Sequence, residues 1–151
     1  MEKLYLKEIE DAEYVYYLLK YLKKRSDELG DEYNNSIIKD VFNHNYIITG
    51  LFHKTKCKTC ITNWEVNQVG LLYMHKNRRC LDMLEFNINI EYRDKEEVKD
   101  AIRKYLRSFF SREQLNYFEE IKIHSMLKPK EYYDEYFNTT FTEYNTYIWR
   151  V

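Results

Sequence analysis

The sequence predicts a mixed α/β (α+β) chain on a central mixed sheet, with elements in the order β α α β β β α β α β, and three observations carry that prediction. Period-2 apolar runs alternate along the chain with apolar stripes at three-and-four spacing, the signatures of half-buried strands and amphipathic helices. Residues 84–109 read as a strand, a tight turn and a helix in immediate succession. Phe86, Ile88 and Ile90 alternate there with Asn87, Asn89 and Glu91, and Val98, Ala101, Ile102, Tyr105, Leu106 and Phe109 then share one helical face. Finally, 44% hydrophobic residues with three Gly and one Pro describe an ordered chain without repeats, and 151 residues suffice for one domain over 1–151.

Taken in order, residues 3–7 form a first strand with Leu4 and Leu6 on one side. Asp11 then caps a helix whose core stripe is Val15, Leu18, Leu19 and Leu22, ending in Lys23-Lys24-Arg25. Gly30 closes this segment, and a second helix from Asn34 or Ser36 runs through Ile37, Ile38, Val41 and Phe42. Residues 46–52 suit a strand, with a buried loop or a helix end as alternatives. Strands at 59–65 and 69–75 flank a turn at Val66-Asn67-Gln68, and Asn77-Arg78-Arg79 leads into a strand over 80–91. Trp64, Tyr73 and Phe86 thus belong to three strands of an antiparallel meander. Residues 120–126 give a strand with Ile121 and Ile123, Lys128-Pro129-Lys130 opens a last helix, and residues 141–151 end the chain as a strand.

The 24 basic and 25 acidic side chains give a formal net charge of −1, so no overall field draws the chain to nucleic acid or an anionic membrane. No apolar run approaches the roughly 18 to 20 residues of a membrane span, and the start Met-Glu-Lys-Leu-Tyr-Leu-Lys-Glu is not a signal peptide. The expected location is cytoplasmic. An odd cysteine count of three in a chain rich enough for a core does not describe a secreted disulfide scaffold. Cys57-x-x-Cys60, four residues after His53, supplies only part of a zinc site; His75 or Cys80 would have to complete it. The plainer reading keeps Cys60 as a small buried strand residue and Cys57 as an exposed one, and no metal is expected.

The chemistry concentrates where the 80–91 strand meets its helix, because a strand C-terminus feeding a helix N-terminus is where open sheets bind anions. Asp94 followed three residues later by Glu97 makes a capping-box-like start, with Glu96 and Glu97 near the positive end of the helix. The helix from Asp94 makes the strand before it and the 120–126 strand parallel neighbours by default.

This order and this unit resemble the GNAT N-acetyltransferase superfamily over nearly the whole chain. In that family the loop after the fourth strand reads Arg or Gln, two residues, Gly, one residue, Gly or Ala, and wraps the pyrophosphate of an acyl-CoA. Arg93 matches its first position, Asp94 and Lys95 follow, and Glu96, Glu97 and Val98 complete the stretch, Glu96 and Val98 standing where the family has small residues. Glu96 adds bulk and negative charge beside a dianionic group. The resemblance also implies a proton-accepting carboxylate in the fourth strand at Glu85, and backbone N–H groups near Phe86 to Ile88 that hold the acyl carbonyl. It further implies a tyrosine facing the leaving sulfur at Tyr136, five residues before Phe141 with Thr140 in the place of Gly.

Each residue also has a plain reading: Tyr136 is one of 16 tyrosines, Glu85 a strand carboxylate or a partner of Arg78 or Arg79, Glu96 and Glu97 helix-start residues. Two functions follow. One is transfer of an acyl group from acetyl-CoA or another acyl-CoA to an amine, on a small molecule, a protein N-terminus or a lysine. The other is an inactive domain of the same fold that binds a protein through its aromatic surface.

Overall fold

β1 (Lys3–Glu8) opens the chain, and Asp11 starts α1 (Ala12–Lys24) by accepting a hydrogen bond from the Tyr14 N–H at 3.0 Å. The computed structural model describes residues 2–25, 31–111, 113, 117–124, 140–143 and 146–150. α2 (Asp31–Asp40) follows, then three long strands, β2 (Tyr46–Lys56), β3 (Trp64–Asn77) and β4 (Cys80–Ile88). A single helical turn, α3 (Ile90–Arg93), and α4 (Glu96–Arg107) lead through a 3-10 turn at Ser108–Phe110 to β5 (Glu120–His124). β6 (Thr140–Glu143) and β7 (Thr146–Arg150) come last. Among the described residues no helix is long and apolar enough to cross a membrane.

The strands make one seven-stranded mixed sheet in the order β1-β2-β3-β4-β5-β7-β6. Every neighbouring pair is antiparallel except β4 and β5, which run parallel with Cys80 opposite Glu120 and Met83 opposite Ile123. The parallel pairing is the one expected from the strand-helix-strand order, and β4 continues to Ile88.

Apolar residues cover both faces of the sheet. On one, Val98, Ile102 and Leu106 of α4 close over Ile47, Leu51, Leu72, Met74, Leu81, Met83, Phe86 and Ile88. On the other, Leu18, Tyr21 and Leu22 of α1 and Ile37 of α2 close over Ile48, Phe52, Leu71 and Tyr73. Two bulges keep these faces in phase: Val69 is the extra residue against Leu51 and Phe52, and Leu84 the extra residue against Tyr73 and Met74. Met83 and Phe86, three apart in sequence, therefore enter the same core.

Several expected boundaries move. The β2–β3 turn lies at residues 57–63, not at Val66-Asn67-Gln68, which are part of β3; Trp64 and Tyr73 share that one strand, and β2 with β3 and β4 makes the meander. Of the run 59–65 only Trp64 and Glu65 are strand, the first residues of β3; in 59–63 Asn63 takes a positive φ of 62°, Cys57 and Cys60 form a disulfide around the turn, and Ile61 is fully exposed. In α1, Tyr21 takes the core place expected of Leu19, which is exposed. β4 ends at Ile88 rather than at 91, and Ile90 is 70% exposed. The final segment is two strands rather than one. The expected helix from Lys128 lies outside the described residues.

Candidate functional site

The candidate site lies at the C-terminal end of β4 and the turns that lead from it into α4. The described β4–β5 ladder runs from Cys80 opposite Glu120 to Met83 opposite Ile123, and β4 itself continues to Ile88. Because of the Leu84 bulge, Phe86 and Ile88 point into the α4-side core, while Asn87 faces α1 and Glu85 stands opposite Tyr73. Glu85 is only 8% exposed. The neighbouring Tyr73 hydroxyl donates to Asp40 at the end of α2, and burial with that carboxylate pushes it well above the usual tyrosine range.

Two contacts fasten this end of β4 to α1. The Tyr21 hydroxyl donates to Asn87 Oδ1 at 2.9 Å, both residues being buried. The Arg25 guanidinium donates to Asn89 Oδ1 and lies 5.3 Å from the Tyr21 ring. Asn89 stands at the N-cap position of α3, and its side chain makes no cap bond there. Its backbone still starts the turn, accepting from the Tyr92 N–H at 2.9 Å. Sequence reading missed Tyr21 and Arg25, which lie more than 60 residues from their partners; no local pattern marks such pairs.

The expected phosphate loop is compact. Asp94 is the C-cap of α3, and Lys95, not Asp94, is the N-cap of α4, without a side-chain cap bond. The Asp94–Glu97 capping box is therefore absent, because the intervening helical turn moves the start of α4 one residue on. The N–H groups of Val98 and Lys99 both donate to the Lys95 carbonyl at 3.1 Å, leaving the amides of Glu96 and Glu97 at the first turn without an acceptor in the helix. Val98 is 0% exposed and belongs to the core, so its side chain adds no bulk to the loop surface. The Glu96 side chain is 77% exposed and pairs with Lys99 at 3.5 Å, while Glu97 is exposed beside it. Lys95 lies 5.0 Å over the Tyr92 ring, and the Tyr92 hydroxyl shares a 2.6 Å hydrogen bond with His53 Nδ1 on β2. Burial, with Glu91 and Glu2 nearby, raises the Tyr92 hydroxyl above the usual tyrosine range.

This start offers an anionic cofactor donors, the two first-turn amides with Arg93 and Lys95, while its side-chain charge is mixed: Asp94, Glu96 and Glu97 stand among those cations, and Glu96 pairs with Lys99. Tyr136 lies outside the described residues. Among the described residues no group of three or more His, Cys, Asp or Glu side chains is placed to hold a metal ion.

No protein-family model matches the sequence, and no curated protein matches it. Solved structures do. Arabidopsis thaliana NAA60 in complex with a bisubstrate analogue is similar at a TM-score of 0.64 and 8% identity, with 99% of each chain covered. Aminoglycoside 6'-acetyltransferase type Ii is similar at 0.60 and 12%, covering 95% of this chain and 93% of that one. PaiA N-acetyltransferase from Thermoplasma acidophilum, in complex with coenzyme A, is similar at 0.53 and 12%, covering 97% and 96%.

Proposed function

Because the chain carries the fold of the GNAT N-acetyltransferases over nearly its whole length, we propose that it transfers an acyl group from an acyl-CoA, acetyl-CoA first, to an amine. One observation supports this reading above the others: β4 and β5, connected through α4, run parallel with Cys80 opposite Glu120 and Met83 opposite Ile123, and the end of β4 leads through one helical turn into the start of α4.

A bound acyl-CoA would supply an activated thioester. The amides of Glu96 and Glu97, with Arg93 and Lys95, hold its pyrophosphate, and Asp94, Glu97 and the backbone of Val98 border the same loop. Backbone N–H groups near Phe86 to Ile88 hold the carbonyl oxygen as negative charge develops on it. Glu85 accepts the proton of the attacking amine, directly or through water, and its enclosure keeps the carboxylate in place. Tyr136 returns a proton to the leaving thiolate, a role that rests on the family spacing alone. The acceptor is an amine on a small molecule, a protein N-terminus or a lysine, and the expected setting is cytoplasmic.

The acidic residues Asp94, Glu96 and Glu97 around the loop favour a second reading, a domain that has lost acyl-CoA and binds a protein instead. Calorimetric titration with acetyl-CoA and with CoA separates the two. Binding with a dissociation constant of about 1 to 100 μM is the expected result, and no heat at millimolar ligand removes the enzyme reading for these cofactors. Glu85→Gln should then leave acetyl-CoA affinity within about twofold while lowering transfer to amine-bearing peptides or polyamines by about 10² to 10⁴.

A further inference from the structure

At the end of the sheet opposite the start of α4, beside the C-terminus of that helix, lies an open cleft of about 430 Å3. Ile47, Phe109 and Phe118 give it apolar walls, and its rim carries Lys76, Arg78 and Arg79. α4 has 12 residues, which at about 1.5 Å rise each sets this cleft roughly 18 Å from the phosphate loop at the other end of the helix.

The cations are held in different ways. The Arg79 guanidinium donates to the Tyr117 carbonyl at 3.0 Å and lies 4.2 Å over the Tyr117 ring. Arg78 occupies the β3–β4 turn at φ 57°, a conformation that glycine or asparagine adopts at less cost. Lys76 is anchored through its backbone N–H, which donates to the Asn45 carbonyl at 2.8 Å.

Glu8 is the lining carboxylate. Burial and the neighbouring Glu10 push its carboxyl upward while Lys76 pulls it down. The carbonyl end of α4 carries its own cations in the last turn, Lys104 and Arg107. Three lining cations against one carboxylate match a dianion, and arginine is the side chain that grips phosphate at two points.

We propose that this cleft binds a small organic phosphate, its apolar or aromatic body against Ile47, Phe109 and Phe118 and its phosphate on Lys76, Arg78 and Arg79. The volume lies within the roughly 300 to 1,000 Å3 of small-molecule sites. This site is independent of the acyltransferase reading and survives if acetyl-CoA does not bind.

Phenyl phosphate titrated into the full chain and followed by amide chemical shifts tests it, with inorganic phosphate and phenol as fragments. Shifts should gather at residues 76–79 and 117–118, and phenyl phosphate should bind about tenfold or more tightly than either fragment. The double variant Lys76→Ala, Arg78→Asn removes two charges and keeps a residue that tolerates the positive φ. It should retain the unfolding midpoint and lose about tenfold or more in affinity. Unchanged affinity in that variant, shifts confined to residues 93–98, or phenyl phosphate no tighter than inorganic phosphate would overturn the proposal.

Discussion

Tyr21 and Asn87 are both almost wholly enclosed, so no water stands ready to replace the hydroxyl bond between them. Tyr21→Phe keeps the ring and strands the Asn87 oxygen, and should cost about 1 to 3 kcal/mol in urea unfolding. The same change loosens the end of β4, where Glu85 and the backbone of Phe86 to Ile88 must hold their positions on the proposed function. Residues of this kind are invisible to sequence reading: Tyr21 carries the helical period of α1, but nothing near it names a partner on β4. Glu85 was legible as a strand carboxylate, whereas its enclosure depended on the bulge at Leu84, which sequence alternation does not announce.

Elements show the same division. α4 was legible because Val98, Ile102 and Leu106 keep helical spacing and all reach the core. The β2–β3 hairpin was not. Thr59, Cys60, Thr62 and Trp64 alternate like a strand, but they lie in or beside a turn closed by Asn63 and the Cys57–Cys60 disulfide, while the polar Asn67 and Gln68 sit inside β3. Tertiary pairing overrode local propensity there.

At the start of α4, the exposed Glu96 acts on a dianionic diphosphate about 5 Å away as a water-screened charge, worth about 1.7 kcal/mol. Glu96→Gln should therefore tighten acetyl-CoA by about fifteenfold at most by calorimetry. Val98 is better left alone, since Val98→Ala would open the core at a cost of about 2 kcal/mol.

Further along α4, Tyr105 shares a 2.8 Å hydroxyl bond with the buried Thr49, and burial pushes its hydroxyl from the ordinary 10.0 up to about 12. The folded state thus favours the protonated hydroxyl. Its contribution is whole below pH 10 and is lost as pH rises toward 12, in the range where the Cys80 thiol, raised to about 12 by burial and Asp82, adds the same trend. Unfolding free energy should fall across that alkaline window, and Tyr105→Phe should start lower and fall less steeply. An equal slope in wild type and variant would remove Tyr105 as a cause.

On the scale of the whole molecule, the order of elements was readable because strands and helices alternate with different periods. The parallel β4–β5 pair followed from the helix between them. The sheet has two ends with different tasks on this reading: the end of β4 with the start of α4 at one, a basic cleft at the other. A single experiment addresses the first task most directly, amide shift mapping of the chain with acetyl-CoA. Acyl-CoA bound in the gap between β4 and β5 should shift the amides of residues 86–88 and 96–98 together, at one common dissociation constant. Shifts absent from both stretches at saturating ligand, or gathered at residues 76–79, would contradict an acyl-CoA site there.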